Sequence, residues 1–338
     1  MNFMEKLLNV LNDIIVYTEN GAAGHATTGK ALVDLNFSVA SLRNASDDEI
    51  VRKFIPAFHE DRVLAMKWLF FLRDVRGGLG ERRAFRVIMK YLATGYTDMV
   101  GRMVEIMAEY GRFDDLLCLM GTPVEEKVLS YIATQLKNDV ENMLNKEGIS
   151  LCAKWMPGIN TSSEDSRAVA VKLKNYMGLT SKEYRKMLSG LREYLGVIEV
   201  AMSGNCWEEI NYSAVPSKAN VLYRNAFLNH DKERREAFLA DVADNKVSMN
   251  AGVLMPHDIV ARYVTRTGWR LNVNALDMSL EMLWKNLSDT VEGAENVLCV
   301  VDGSGSMTCG VGNGNLTASR VKCYRYILCR ETQGCLQE

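Results

Sequence analysis

Apolar residues along most of this chain recur at three- and four-residue spacing instead of alternating, which is the period of a helix with one buried face. Met4, Leu7, Leu8, Leu11 and Ile14 or Ile15 form one such stripe, stopped by the polar run Glu19-Asn20-Gly21. Ser46-Asp47-Asp48-Glu49 reads as a capping box for a helix running toward His59, and Thr180-Ser181-Lys182-Glu183 repeats the device. The same periodicity predicts helices over 61–75, 81–93, 98–110, 124–146, 164–177, 182–203, 231–244, 256–266 and 274–287. Short turns between them favour antiparallel neighbours. No fixed repeat period stands out, but many helices of similar length bury their stripes most readily as a degenerate HEAT-like α-solenoid.

The single strand signal comes late. Glu295-Asn296-Val297-Leu298-Cys299-Val300-Val301 is a continuous apolar, β-branched run flanked by glycine, the pattern of a fully buried parallel strand. The expected fold is therefore mainly α over residues 1–290, followed at 291–319 by the opening of an α/β domain. Residues 320–338 form an atypical tail. Its cysteines, Cys323, Cys329 and Cys335, are spaced by six, which matches no common zinc signature.

Composition narrows the function. The 338 residues are 48% hydrophobic and 24% charged, which excludes disorder, collagen and coiled coil. Lys and Arg total 40 against 42 Asp and Glu, so any attraction to nucleic acid must come from a local patch. No apolar run approaches the ~20 residues of a bilayer span. Residues 1–20 carry Glu5, Lys6 and Asp13, unlike a signal peptide. With eight scattered cysteines, the expected compartment is reducing and cytoplasmic, with no membrane partner.

Directly after the late strand, Asp302-Gly303-Ser304-Gly305-Ser306 offers one carboxylate and two hydroxyls at alternate positions, and the glycines let the backbone turn around an ion. Asp302, Ser304 and Ser306 are hard oxygen donors suited to Mg2+ or Mn2+ that keeps waters and an open position. This pattern resembles the metal-ion-dependent adhesion site of von Willebrand factor A domains. The resemblance implies two further ligands, a Thr and an Asp from later loops, and neither is found. The chain after Asp302 has room for about one further strand and helix. We therefore expect a truncated A domain whose Mg2+ site is incomplete and does not function alone. Read one nucleotide later, permitted codons for Lys322 to Gln337 yield an amphipathic helix of the kind that comes after the metal loop in A domains. The expectation is a frameshift near residue 320.

Stretches of the helical region also carry a resemblance. Phe70-Phe71-Leu72-Arg73-Asp74-Val75-Arg76-Gly77-Gly78-Leu79-Gly80-Glu81-Arg82-Arg83, Ala153-Lys154-Trp155-Met156-Pro157, Leu179-Thr180-Ser181-Lys182-Glu183-Tyr184-Arg185-Lys186 and Val215-Pro216-Ser217-Lys218-Ala219 resemble the domain of unknown function 2828 family over nearly the whole chain. At motif level they are similar to Ro autoantigen, or TROVE-module, proteins. The Ro resemblance implies a ring of helical repeats that binds structured or misfolded RNA and is closed by an A domain.

The residues support RNA binding on their own chemistry. Arg73, Arg76, Arg82, Arg83, Arg86 and Lys90 face only Asp74 and Glu81 in sequence, and a second basic stretch runs from Lys154 to Glu193. Guanidinium groups fork onto phosphate oxygens and release counterions, giving salt-sensitive binding that tolerates sequence. The Gly77-Gly78-Leu79-Gly80 break would let backbone amides approach an anion at the start of the next helix. Phosphate contact is expected from Arg73, Arg76, Arg82, Arg83, Lys154 and Lys186, with structured RNA or RNA ends as partners. Basic residues at helical spacing also suit a solvated face, and Arg73 could pair internally with Asp74 or Glu81. The rival reading is a protein-interaction scaffold whose intact A domain would bind an acidic partner through Mg2+. Trp68, Trp155, Trp207, Trp269 and Trp284 read as core anchors. His230-Asp231 and His257-Asp258 read as caps. No paired carboxylates, nucleophile elbow or Cys/His arrangement points to catalysis, so no enzyme is expected.

Overall fold

The computed structural model describes residues 3–4, 15–17, 21, 23–267 and 270–288, and the fold is mainly α. The A-domain strand, the metal loop with Asp302, Ser304 and Ser306, and the cysteine-rich tail lie outside the described residues. Contacts divide the chain into two units, residues 1–137 with 155–180 and residues 138–154 with 181–338, so the helical stretch read as continuous through residue 290 comprises parts of both. No helix among the described residues is long and apolar enough to cross a membrane.

In the first unit a short antiparallel hairpin, β1 (Ile15–Tyr17) and β2 (Ala23–His25), precedes α1 (Ala31–Phe37) and α2 (Val39–Leu42). The hairpin corrects the expected helix at its end: Ile15, Val16 and Tyr17 are strand-favouring residues, and Ile15 pairs with His25 instead of extending the stripe. Then come α3 (Asp47–Glu60), α4 (Arg62–Arg73), α5 (Arg83–Gly95) and α6 (Thr97–Tyr110), a 3-10 turn at Phe113–Leu119, and α7 (Glu125–Leu144), within which the division between units falls. The caps are local. Ser46 accepts from the Glu49 amide at 3.2 Å to open α3, and Asp61 accepts from the Leu64 amide at 2.9 Å to open α4. Ile50 and Phe54 from α3, Leu69 and Leu72 from α4, and Phe85 and Ile88 from α5 are fully buried in this unit's core. Each contributes about 1.5–3 kcal/mol on leaving water. A short α8 (Cys152–Trp155) comes after α7, with Cys152 to Lys154 in the second unit and Trp155 in the first, and α9 (Glu164–Tyr176) in the first unit opens on Ser163.

The second unit holds α10 (Ser181–Tyr194), α11 (Ile198–Ser203), α12 (Ser217–His230), α13 (Lys232–Ala243) and α14 (Pro256–Tyr263), then a hairpin of β3 (Val264–Thr267) with β4 (Arg270–Val273), and α15 (Met278–Lys285). The helix expected over 182–203 is broken at Gly196, whose φ of 59° is a left-handed turn. The helix expected over 256–266 stops at Tyr263, where Val264-Thr265-Arg266-Thr267 leaves it to pair antiparallel. Helix α12 gave no readable stripe because its inner face is partly polar: Ser217 and Asn220 are buried, and Asn220 Nδ2 donates to the Val215 carbonyl at 3.1 Å. The expected caps are half met. Asp258 accepts from the Met255 amide, whereas Asp231 accepts from the Tyr212 hydroxyl and His230 stacks on Trp207 at 4.5 Å.

Arg235 on α13 is fully buried without a carboxylate partner among the described residues. It donates to Asn220 Oδ1 at 3.2 Å and Ser279 Oγ at 3.4 Å, and its guanidinium carbon lies 5.0, 5.2 and 5.4 Å from the ring centres of Tyr212, Phe227 and Phe238. Burial lowers its pKa to about 10, against the fields of Tyr212 and Asp277. The ring faces offset part of the desolvation cost. Arg235→Met, which keeps the volume and removes the charge, is expected to raise stability by about 1 kcal/mol. Calorimetry checks this; a fall in the melting temperature would mean that the rings and two hydrogen bonds outweigh the buried charge.

Candidate functional site

The basic segment around α4 and α5 is organised by two aspartates that lie just after α6. Asp115, fully buried, accepts from Arg73 Nε at 2.8 Å, Arg86 Nε at 2.6 Å and the Arg112 amide at 2.9 Å, and Arg73 Nη2 lies 2.8 Å away. Asp114 takes a bidentate pair from Arg112 at 2.9 and 2.7 Å and lies 2.8 Å from Arg86 Nη2. The Arg112 guanidinium is stacked on the half-buried Trp155 ring, 3.8 Å from its centre. A Cβ at Gly111 would meet Asp115 Oδ2 at 2.5 Å, so glycine is what lets the chain pass this close to the carboxylate.

Four guanidinium groups, those of Arg73, Arg82, Arg86 and Arg112, thus gather around two carboxylates. Arg73, 2% exposed, is spent on Asp115. Burial works against the Arg86 charge, yet the hydrogen bond to Asp114 and the field of Asp115 raise its pKa above the ordinary guanidinium value. Arg82 is the odd one out. It is exposed and makes no ion pair among the described residues, and desolvation followed by the positive fields of Arg112 and Arg86 lowers its pKa despite Asp114 and Asp115. Its surroundings carry more positive charge than they neutralise.

The loop before α5 does not leave its amides for an external anion. Asp74 supplies the anion itself, accepting from the amides of Arg76 at 2.8 Å and Gly77 at 3.2 Å. The start of α5 is likewise filled by Glu81, whose Oε1 accepts from the Arg83 amide at 3.0 Å and the Ala84 amide at 3.4 Å. This corrects the expected glycine-loop cradle.

The sequence-predicted phosphate ligands separate accordingly. Arg73 is corrected: it is an internal strut, paired with Asp115 instead of Asp74 or Glu81, and its guanidinium has no route to solvent. Arg83 is turned to Asp47 at 2.6 Å and to the carbonyls of Arg43 and Ala45. Arg76 and Arg82 are exposed and make no ion pair among the described residues. In the other unit, Lys154 is half-buried and Lys186 is exposed on α10. Sequence reasoning missed Arg112, Asp114 and Asp115; the signal was the Gly111-Arg112-Phe113-Asp114-Asp115 turn straight after an amphipathic helix.

Arg86 and Lys90 continue the Arg82 face of α5 at four-residue steps and line a groove of about 810 Å³ with Lys172, although Asp47, Asp48 and Asp165 line it too. Lys172 is already held by Glu125 at 2.8 Å. Burial pushes the Cys118 thiol in this groove up to about 12, so it stays protonated at neutral pH and is no nucleophile. No cluster of His, Cys, Asp and Glu that could hold a metal is present among the described residues.

No solved structure matches this chain. An uncharacterised protein of Acanthamoeba polyphaga mimivirus is 32% identical over 330 aligned positions, covering 86% of this chain. The chain spans only 56% of that relative's length. Residues 160–296 match the family described as Domain of unknown function (DUF2828).

Proposed function

We propose that this chain is an RNA-binding helical-repeat protein of HEAT-like organisation without catalytic activity, and that its phosphate contacts centre on Arg82 with Arg86 and Arg112 beside it. The observation that carries this reading is the surplus of guanidinium over carboxylate around Asp114 and Asp115, with Arg82 left exposed and unpaired. Arg112 is fixed by its bidentate pair with Asp114 and its stack on Trp155, and Arg86 by its contacts with Asp115 and Asp114, so little side-chain freedom remains to be lost when a phosphate arrives. A phosphate oxygen would supply the negative charge that Arg82 lacks. The likeness of residues 70–83 to Ro autoantigen motifs supports RNA as the polyanion. Arg76 and Lys186 are available as further, looser contacts. The A-domain opening with its Mg2+ loop at Asp302, Ser304 and Ser306, which lies outside the described residues, belongs to the proposal as a second site.

Filter binding of a structured RNA over a salt series tests the reading. Arg82→Ala together with Arg112→Ala is expected to weaken binding at every RNA sequence tried and to reduce the salt slope by about two, one for each phosphate no longer neutralised. An absence of binding at low salt, or a slope the double variant leaves unchanged, rejects it.

A further inference from the structure

Helix α4 is apolar on two faces. One carries Leu69 and Leu72 into the core, whereas the other presents Val63 and Phe71, 67% and 43% exposed, to a groove of about 720 Å³ shared with α6. Met66 and Phe70 on α4 and Met99 and Met103 on α6 also line it. Ile106 and Tyr110, 39% and 43% exposed, form the opposite wall, and Tyr110 meets Phe70 edge-to-face at 5.5 Å. A surface helix ordinarily keeps one apolar face, so a second one with this much exposed aromatic and aliphatic area is a surface that something covers. Methionines in the lining suit an apolar ligand of variable shape.

The charges around the groove say what kind of ligand. Lys67 is exposed and makes no ion pair among the described residues. Arg62 is held at the beginning of α4 by the rings of Tyr96 and Phe58, 5.4 and 5.6 Å from its guanidinium carbon, and it too has no carboxylate partner among the described residues. The one acid lining the groove, Asp74, has its oxygens committed to the amides of Arg76 and Gly77. Two cations without a carboxylate partner among the described residues, Arg62 and Lys67, therefore line the groove against the single carboxylate of Asp74, leaving a net positive lining. From Arg62 to Asp74 the groove follows about 18 Å of helix, the length of three turns or slightly more.

We propose that the α4/α6 groove docks an amphipathic helix from a partner protein, with apolar residues at i, i+3 or i+4, and i+7 seated on the methionine-lined wall and acidic residues beside Arg62 and Lys67. This site is independent of the guanidinium cluster around Asp114 and Asp115.

The probe is a stapled, fluorescently labelled helix of about 14 residues with leucines at those positions and glutamates flanking them, compared by anisotropy with a twin carrying lysines for the glutamates. The acidic peptide is expected to bind the full chain at least tenfold more tightly than the basic twin. Ile106→Glu should weaken it tenfold or more, and Lys67→Glu should weaken it while strengthening the twin. Both positions are exposed, so an unchanged melting temperature accompanies these effects. Equal binding of the two peptides, no saturation by either, or binding that survives Ile106→Glu overturns the proposal. A chain dimer that Ile106→Glu dissolves would assign the groove to a second copy. Loss of RNA binding in Ile106→Glu, with no peptide bound, would assign it to RNA. Either outcome overturns the proposal as well.

Discussion

Asp115→Ala is expected to destabilise the first unit by about 3–5 kcal/mol, one of the largest single-residue effects in this chain. The carboxylate is fully buried and gathers Arg73, Arg86 and the Arg112 amide within 2.9 Å. Removing it leaves the Arg73 charge, 2% exposed, in the interior with no counter-ion. The cost is the stranded charge and not the missing attraction alone. Replacing both partners, Arg73→Met with Asp115→Val, should accordingly restore part of the stability: Arg73 no longer leaves a stranded charge, whereas Arg86 Nε and the Arg112 amide still lose their acceptor. Urea unfolding followed by tryptophan fluorescence reads both variants. A loss below about 1 kcal/mol in Asp115→Ala would mean that Arg73 finds another partner.

Gly78→Ala should cost about 3 kcal/mol, the upper range for a forced backbone shift. A Cβ at this position would sit 1.9 Å from the Phe71 carbonyl oxygen and 2.9 Å from that of Asp74, both backbone atoms unable to move aside. The approach is imposed by the loop itself, which folds back on the end of α4: Leu79 donates to Phe71 at 3.0 Å, Gly80 to Asp74 at 2.9 Å and Glu81 to Leu72 at 2.8 Å. Gly77→Ala, whose Cβ would touch only the Asp74 carboxylate at 3.3 Å, should cost far less. Melting temperatures of the two variants compare them directly; similar values would show that the loop rearranges at little cost.

Legibility in the sequence depended on which features are local. Helices α3 to α6 were readable because their apolar periods lie within the segment itself, and α3 and α4 because their caps do too, as at Ser46 with the Glu49 amide. Helix α12 was not, since Asn220 occupies a buried position for the sake of the Val215 carbonyl and Arg235, a tertiary reason that leaves no period. The basic patch shows the same division. Counting charges from Arg73 to Lys90 found the excess, but the acids that absorb much of it, Asp47, Asp114 and Asp115, stand 28 to 42 residues away in the chain from the arginines of that stretch that they hold. Linear counting could nominate Arg82 and Arg73 together; only the fold separates the exposed cation from the buried strut.

The division of contacts has a practical bearing on how the chain can be dissected. Residues 138–154 belong with the segment after 181, whereas 155–180 belong with the segment before 137, so the two units exchange pieces along the polypeptide. A fragment trimmed to the family boundaries at 160 and 296 would carry a piece of one unit and lack a piece of the other. Arg192, for example, would lose the Ala153 carbonyl to which its Nε donates at 2.9 Å. The limits of recognisable similarity and the limits of the compact units therefore differ, and a binding assay on the shorter fragment would test a body missing part of one unit.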